Sequence, residues 1–338
     1  MIILMKKGCA QKEIDAIVEV LKERGLGANL STGAQATVIG VLGDKSKLGD
    51  VNLELMDGVE KCVPIMRSYK LASREMTPEG RTVDVGGVVI GGKKLVMMAG
   101  PCAVESEDQV MQAALGVKEA GAQFLRGGAY KPRTSPYAFQ GLENEGYRIL
   151  RRVGDAAGLK VISEIVSHDE IDEACKYCDM LQIGARNMQN FRLLREVGRS
   201  GKPVLLKRGI ASTIEEWLDA AEYIMSEGNY NVVLCERGLR TFETATRFTL
   251  DISAVPVIHK QSLYPICVDV SHPAGVRDLV PALARAAVAV GADSIMIEVH
   301  PNPPAALSDG PQQLTPAQFT DLIAELRELA AVFGKKIV

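Results

Sequence analysis

The sequence predicts a (β/α)8 barrel preceded by a small ferredoxin-like domain. Three observations carry that expectation. From Lys94 onward, eight short apolar runs alternate with amphipathic stretches, the pattern of parallel strands buried on both faces. The first 68 residues read instead as strand, helix, strand, strand, helix, strand, a βαββαβ order. Each of the eight later runs also ends in or near a polar, ionisable or metal-binding side chain, where a barrel places its chemistry.

Residues 2–5 form the first expected strand. Residues 11–23 follow as a helix, with Ile14, Ile17, Val18 and Leu21 at helical spacing. Runs 27–31 and 36–42 flank the turn Ser31-Thr32-Gly33, as in a hairpin. A short helix is expected after Asp44, and a strand over 59–66 closes the unit, giving a domain over 1–68. A polar linker is expected over 69–81, and the barrel over 82–338. Gly86-Gly87 and Gly91-Gly92 bracket the apolar run 88–90, which reads as part of a hairpin. The barrel strands are expected at 95–99, 124–126, 161–164, 180–183, 204–207, 232–235, 266–270 and 294–299. Ser106-x-x-Gln109, Ser212-x-x-Glu215 and Thr315-x-x-Gln318 match the capping box, and Pro316 suits a first helical position. The last helix carries Phe319, Leu322, Ile323, Leu326 and Leu329 on one face, and Gly334 ends it.

The bulk numbers narrow the function classes. A chain of 338 residues that is 47% hydrophobic and 24% charged suits a globular protein with room for two domains. With a net charge of −3, no global field favours nucleic acid or an anionic membrane, so any anion site must be local. No apolar run reaches spanning length and no signal peptide is evident, so the expected location is cytoplasmic. Seven cysteines without a secretory signal argue against a disulfide framework. Cys175-x-x-Cys178 lacks a second ligand pair and is weak as a zinc motif.

The densest local signal lies between Leu125 and Pro136. Arg126, Lys131 and Arg133 stand among glycines and prolines with no acid nearby, which suits a phosphate or carboxylate. Taken in order, the strand ends carry Cys102, Arg126 (with Lys131 and Arg133 beyond), Glu164, Arg186, Lys207, Arg237, His272 and Glu298. Barrel closure would bring Cys102, His272 and Glu298 together, with Asp309 reaching in from the following loop. A thiolate, an imidazole and two carboxylates suit a divalent ion such as Mn, Fe, Co or Zn. Plainer readings stand beside this one. Asp309 lies in a turn-like Ser308-Asp309-Gly310, Glu298 could pair with a barrel cation, and His300 could replace His272. Arg126, Lys131, Arg186, Lys207 and Arg237 fill the other sector, and so many cations need anionic compensation. Arg133, Thr134 and Ser135 offer a second phosphate site. Two phosphorylated substrates near one Lewis-acidic metal is the resulting picture.

These segments resemble the type Iβ class of 3-deoxy-D-arabino-heptulosonate 7-phosphate (DAHP) synthases. The resemblance rests on the segments from Gly100 to Ser106 and from Leu125 to Pro136, on Gln182-Ile183-Gly184-Ala185-Arg186-Asn187, on Leu206-Lys207-Arg208-Gly209 and on Ser271-His272. It spans essentially the whole chain. A sister enzyme, 3-deoxy-octulosonate 8-phosphate synthase, shares the barrel but usually reads Lys-Ala-Asn-Arg-Ser-Ser where this chain has Lys131-Pro132-Arg133-Thr134-Ser135. The resemblance implies condensation of phosphoenolpyruvate with erythrose 4-phosphate at the entry to aromatic amino acid synthesis. It implies Cys102, His272, Glu298 and Asp309 as metal ligands. Phosphoenolpyruvate would meet Arg126, Lys131, Glu164, Ala185, Arg186, Lys207 and Arg237, and erythrose 4-phosphate would meet Pro132, Arg133, Thr134 and Ser135. Lys131 is the expected proton carrier and Glu164 the expected water-positioning group. The family usually has Pro where this chain has Val270, before the ligand histidine. The resemblance also implies an amino-acid-sensing N-terminal domain that binds tyrosine or phenylalanine where two copies pair, near Asn29-Leu30-Ser31 and the Gly33 turn, in a homotetramer. A non-catalytic amino-acid-binding regulator on a dead barrel would instead predict damaged ligand positions, and the candidate positions are intact.

Overall fold

The computed structural model describes residues 1–32, 37–63, 68–76, 80–133 and 135–337. The chain divides into two compact units, Met1–Ser68 and Tyr69–Val338. In the first, strands β1 (Ile2–Met5), β2 (Gly27–Thr32), β3 (Thr37–Leu42) and β4 (Val59–Val63) form an antiparallel sheet in the order β2-β3-β1-β4. The helix Gln11–Glu23 buries Ile14, Ile17 and Leu21 against Ile3, Met5 and Ile39, as its apolar spacing dictates. The short helix expected after Asp44 is not continuous. Two 3-10 turns, Lys45–Leu48 and Leu53–Leu55, replace it, each started by a side chain (Asp44, Asn52) that accepts from a backbone N–H two residues on. Gly49, at φ 58°, separates them, so the segment cannot run on as one helix. The Gly33 turn, Ala36 and the last residues of the strand expected over 59–66 lie outside the described residues.

In the second unit a 3-10 turn, Arg74–Met76, precedes a hairpin, β5 (Val83–Val85) and β6 (Val88–Ile90), turning at Gly86-Gly87. Val83, Val85 and Ile90 pack against the inward side chains Val96, Met98, Phe124, Ile162 and Met180, sealing the N-terminal mouth of the barrel. The barrel strands are β7 (Lys94–Gly100), β8 (Phe124–Arg126), β9 (Lys160–Ile165), β10 (Met180–Ile183), β11 (Val204–Lys207), β12 (Val232–Glu236), β13 (Ile266–Asp269) and β14 (Ser294–Glu298). Neighbours in sequence are parallel neighbours in space, and β14 pairs with β7 in the register Glu298↔Gly100, closing the ring. A last strand, β15 (Lys336–Ile337), pairs with Lys94 and Leu95 of β7. Trp217 is fully buried and donates its indole N–H to the Leu206 carbonyl, so it serves the core. Thr315 forms the expected capping box with Gln318, whereas Ser106 caps its helix through its own side chain alone, because the Gln109 amide oxygen accepts from the Glu105 N–H instead. The third expected cap moves by one residue: Thr213 with Glu216, not Ser212 with Glu215, forms the capping box. Ser212 is buried instead, with its carbonyl accepting from Arg208 Nε. Among the described residues, no helix is long and apolar enough to cross a membrane.

Candidate active site

The closing pair of strands explains why the site collects where it does. Gly100 ends β7 at φ 148°, and a Cβ there would stand 2.2 Å from the Arg126 carbonyl oxygen, so only glycine lets β7 and β8 approach. Cys102 then turns into the barrel mouth, fully buried, and meets residues from the far end of the chain. Its Sγ lies 3.2 Å from Ser308 Oγ and 3.7 Å from Asp309 Oδ2, while Lys131 Nζ approaches Sγ at 3.1 Å. Glu298, at the end of β14, is fully buried. Arg126 Nη1 reaches its Oε1 at 3.1 Å, and Gln312 Nε2 donates to its Oε2 at 2.7 Å. Cys102, Glu298 and Asp309 bring one ligand atom each within 4.8 Å of the others, the one such group of three among the described residues. Cys175 and Cys178 take no part in it.

His272 stands beside this group. Its Nε2 is 3.6 Å from Glu298 Oε1, and its Nδ1 is 2.6 Å from Asp269 Oδ2. The Nδ1 approach is an ion-pair distance, but it lies off the line a ring hydrogen bond would take. Asp269 Oδ1 accepts the backbone N–H groups of Ser271 and His272, which fixes the first turn carrying the imidazole. His300 is engaged elsewhere, 3.4 Å from Glu105 Oε2 and accepting from the Asn302 N–H. Burial, with Glu298 nearby, pushes the Cys102 thiol up to about 11, against the pull of Lys131. Burial would also raise Asp309, but Arg247 and His272 hold it down at about 2. Burial lowers His272, against the neighbouring Asp269 carboxylate, which favours the neutral, ligating imidazole.

The residues fit a divalent ion. Metal–ligand bonds of roughly 2.0–2.3 Å in a tetrahedral shell place donor atoms about 3.3–3.8 Å apart. The Sγ–Oδ2 and Nε2–Oε1 spacings of 3.7 and 3.6 Å fall in that range. One soft and three harder donors suit a borderline ion.

The cationic sector is set one step away. Lys207, at the end of β11, is buried and paired with Asp269 Oδ2 at 2.5 Å; burial works against its charge, and Asp269 more than restores it. Arg237 is only 6% exposed, lies over the Phe248 ring at 4.0 Å, and has no carboxylate within ion-pair distance among the described residues. Burial lowers its pKa, against the pull of Asp269, and a buried cation without a close partner is costly until an anion meets it. Glu164 takes a hydrogen bond from Gln182 Nε2 at 3.1 Å. Gly184 makes room for it, since a Cβ there would lie 2.0 Å from Glu164 Oε1. Ala185 opens the 3-10 turn Ala185–Asn187, which presents exposed Arg186 to the same cleft. Arg133 Nη1 bonds Ser308 Oγ, Ser135 is exposed beside it, and Thr134 lies outside the described residues.

A cleft of about 460 Å³ joins both sectors, lined by Lys131, Pro132, Arg133, Ser135, Glu164, Ala185, Arg186, Arg237, His272 and Asp309. A hollow of about 530 Å³ beside Pro303 and Pro311 is larger but offers only Arg277 and Asp278 as charged groups, so chemistry rather than size marks the site. Sequence reasoning missed Asp269, Arg247, Ser308 and Gln312. Asp269 had a signal, three residues before His272, whereas Arg247 and Ser308 sit on long loops and Gln312 in the short 3-10 turn Gly310–Gln312, with no periodicity to orient them.

Comparison with known proteins agrees with this geometry. The chain matches the DAHP synthetase I family over residues 74–332 and the DAHP synthase ferredoxin-like domain over residues 1–67. It is 49% identical over 337 residues to a phospho-2-dehydro-3-deoxyheptonate aldolase of Thermotoga maritima, covering 100% of both chains. It is 33% identical over 271 residues to a 2-dehydro-3-deoxyphosphooctonate aldolase of Pelobacter propionicus, covering 75% of this chain and 98% of the other. The crystal structure of a DAHP synthase from Thermotoga maritima superposes with a TM-score of 0.94 at 47% identity, covering 100% of this chain and 98% of the other.

Proposed function

The chain belongs to the DAHP synthetase I family and has DAHP synthase activity, the first step of the shikimate pathway; from that premise we propose how its barrel mouth performs the reaction. Phosphoenolpyruvate, erythrose 4-phosphate and water are the reactants, and DAHP and inorganic phosphate the products. The observation that carries this reading is the buried Arg237, without a carboxylate in ion-pair distance among the described residues, on the same cleft as Asp309 of the three-ligand group. Such a pairing of an anion receptor with a metal site fits an anionic nucleophile aimed at a polarised carbonyl.

In this reading Cys102, His272, Glu298 and Asp309 hold Mn, Fe, Co or Zn, which supplies Lewis acidity toward the aldehyde oxygen. Arg126, Arg186, Lys207 and Arg237, with the Ala185 backbone, hold the phosphate and carboxylate of phosphoenolpyruvate. Pro132, Arg133, Thr134 and Ser135 hold the phosphate of erythrose 4-phosphate. Fixing both substrates turns a bimolecular encounter into an oriented one, which accounts for much of the rate. The methylene carbon of phosphoenolpyruvate attacks the aldehyde carbon, forming the C–C bond. Lys131, at the border of the two sectors, delivers a proton to the oxygen that gains charge. Glu164 directs water to the carbon bearing the phosphate; one proton of that water restores Lys131 and the other leaves with the phosphate as its C–O bond breaks.

Phosphate release from phosphoenolpyruvate tests this. Turnover is expected with erythrose 4-phosphate and not with arabinose 5-phosphate, and a chelator should abolish it. Chelator-resistant turnover would remove the metal from the mechanism. We further propose that the linker spans 69–81 and that the protein is a cytoplasmic homotetramer. In it the N-terminal unit senses tyrosine or phenylalanine where copies pair. The support is that β2, with Asn29–Ser31, is a sheet edge with Leu30 exposed.

A further inference from the structure

Each residue of the three-ligand group is held by one cation. Lys131 Nζ stands 3.1 Å from Cys102 Sγ, Arg126 Nη1 3.1 Å from Glu298 Oε1, and Arg247 Nη1 3.0 Å from Asp309 Oδ2. The first two belong to the substrate-binding set above, but Arg247 has no role there. Resting on that metal reading, we propose that Arg247 is a resident counter-cation, displaced from Asp309 by the divalent ion and then free to hold a substrate phosphate in the same cleft.

Three observations carry this. First, the contested atom is the same one. Asp309 Oδ2 faces Cys102 Sγ at 3.7 Å, so it is the oxygen a shared ion would take, and it is also the oxygen that accepts from Arg247. Two cations on one oxygen repel each other, more strongly in a half-buried site than in open water. Second, the carboxylates keep a neutral donor when Arg247 leaves. Gln312 Nε2 donates to Glu298 Oε2 at 2.7 Å and lies 3.4 Å from Asp309 Oδ2, while its Oε1 accepts from Arg247 at 2.8 Å. Third, Arg247 can move to a place that needs it. Its side chain is 38% exposed and lines the cleft with Arg133, Arg240, Phe248 and Ser308. By linkage, the divalent ion and the phosphorylated substrate then favour each other's binding by the same factor.

The test is Mn(II) binding to the whole protein, read as free Mn(II) by electron paramagnetic resonance. Without substrate, Arg247→Met should bind Mn(II) about two- to fivefold more tightly, the range one partly exposed ion pair can account for. Arg247→Lys, which keeps the charge, should stay near the parent. If Arg247 only props Asp309 in place, Arg247→Met binds Mn(II) more weakly, and that result or an unchanged affinity overturns the proposal. Phosphoenolpyruvate should tighten Mn(II) binding in the parent more than in Arg247→Met, and equal tightening overturns the second half. No turnover is needed for these readings. Failure to consume phosphoenolpyruvate with erythrose 4-phosphate would therefore defeat the proposed function separately, while a parent that binds no Mn(II) would defeat the metal reading and this inference together.

Discussion

Lys131 is where the two halves of the site meet. Its Nζ touches both the carbonyl and the thiol of Cys102, at 3.0 and 3.1 Å, while its neighbours Pro132 and Arg133 line the same cleft. A single ammonium so placed can hold a ligand thiol and move a proton to substrate oxygen, and the two duties separate by mutation. Lys131→Met should lower kcat by about 10²–10⁴-fold, the usual worth of a positioned proton donor. The Michaelis constant for phosphoenolpyruvate should change less, because Arg126, Lys207 and Arg237 remain. Steady-state kinetics with near-normal kcat would remove Lys131 from proton transfer.

At the scale of elements, the join between β9 and the helix Ile171–Tyr177 carries a testable charge. Glu170 is buried there and accepts from the Val166 N–H at 3.0 Å. Burial pushes its pKa up from an ordinary 4.5 to about 7, against the pull of the Val166 and Ser167 amides. The folded state thus binds more protons than the unfolded chain between those values, and stability falls as pH rises through that window. Glu170→Gln escapes that loss. Its melting temperature should gain on the parent by about 2–4 °C between pH 4.5 and 7, then level off, and a constant difference in calorimetry would contradict the assignment.

The same elements show what the sequence could and could not reveal. The barrel strands were legible because burial on both faces leaves uninterrupted apolar runs, and their ends named Cys102, Arg126, Lys207, Arg237 and Glu298 directly. The helix cap at Thr213 was misplaced by one residue because Ser212-x-x-Glu215 and Thr213-x-x-Glu216 satisfy the same pattern; only the backbone turn, which buries Ser212, separates them. The pairing of Lys207 with Asp269 and of Arg247 with Asp309 was not legible at all. Neither pair is close in sequence, and charge alone does not say which anion a cation will choose.

For the whole molecule, two compact units invite a division of labour. The chain truncated to residues 69–338 should keep its turnover and lose any inhibition by tyrosine, while the full chain is inhibited. Equal response of both forms to tyrosine in the phosphate-release assay would reject feedback through the N-terminal unit. Cys102 follows β7, the first barrel strand, and Glu298 and Asp309 come with and after β14, the last, while β15 fastens the chain's end back onto β7. During synthesis these partners are separated in time by nearly the whole barrel, so the ligand group comes into being only when the ring shuts. In the proposed metal reading, an ion that needs all of them would recognise finished molecules and pass over partly folded ones. Through that preference it would also stabilise the closed form by mass action.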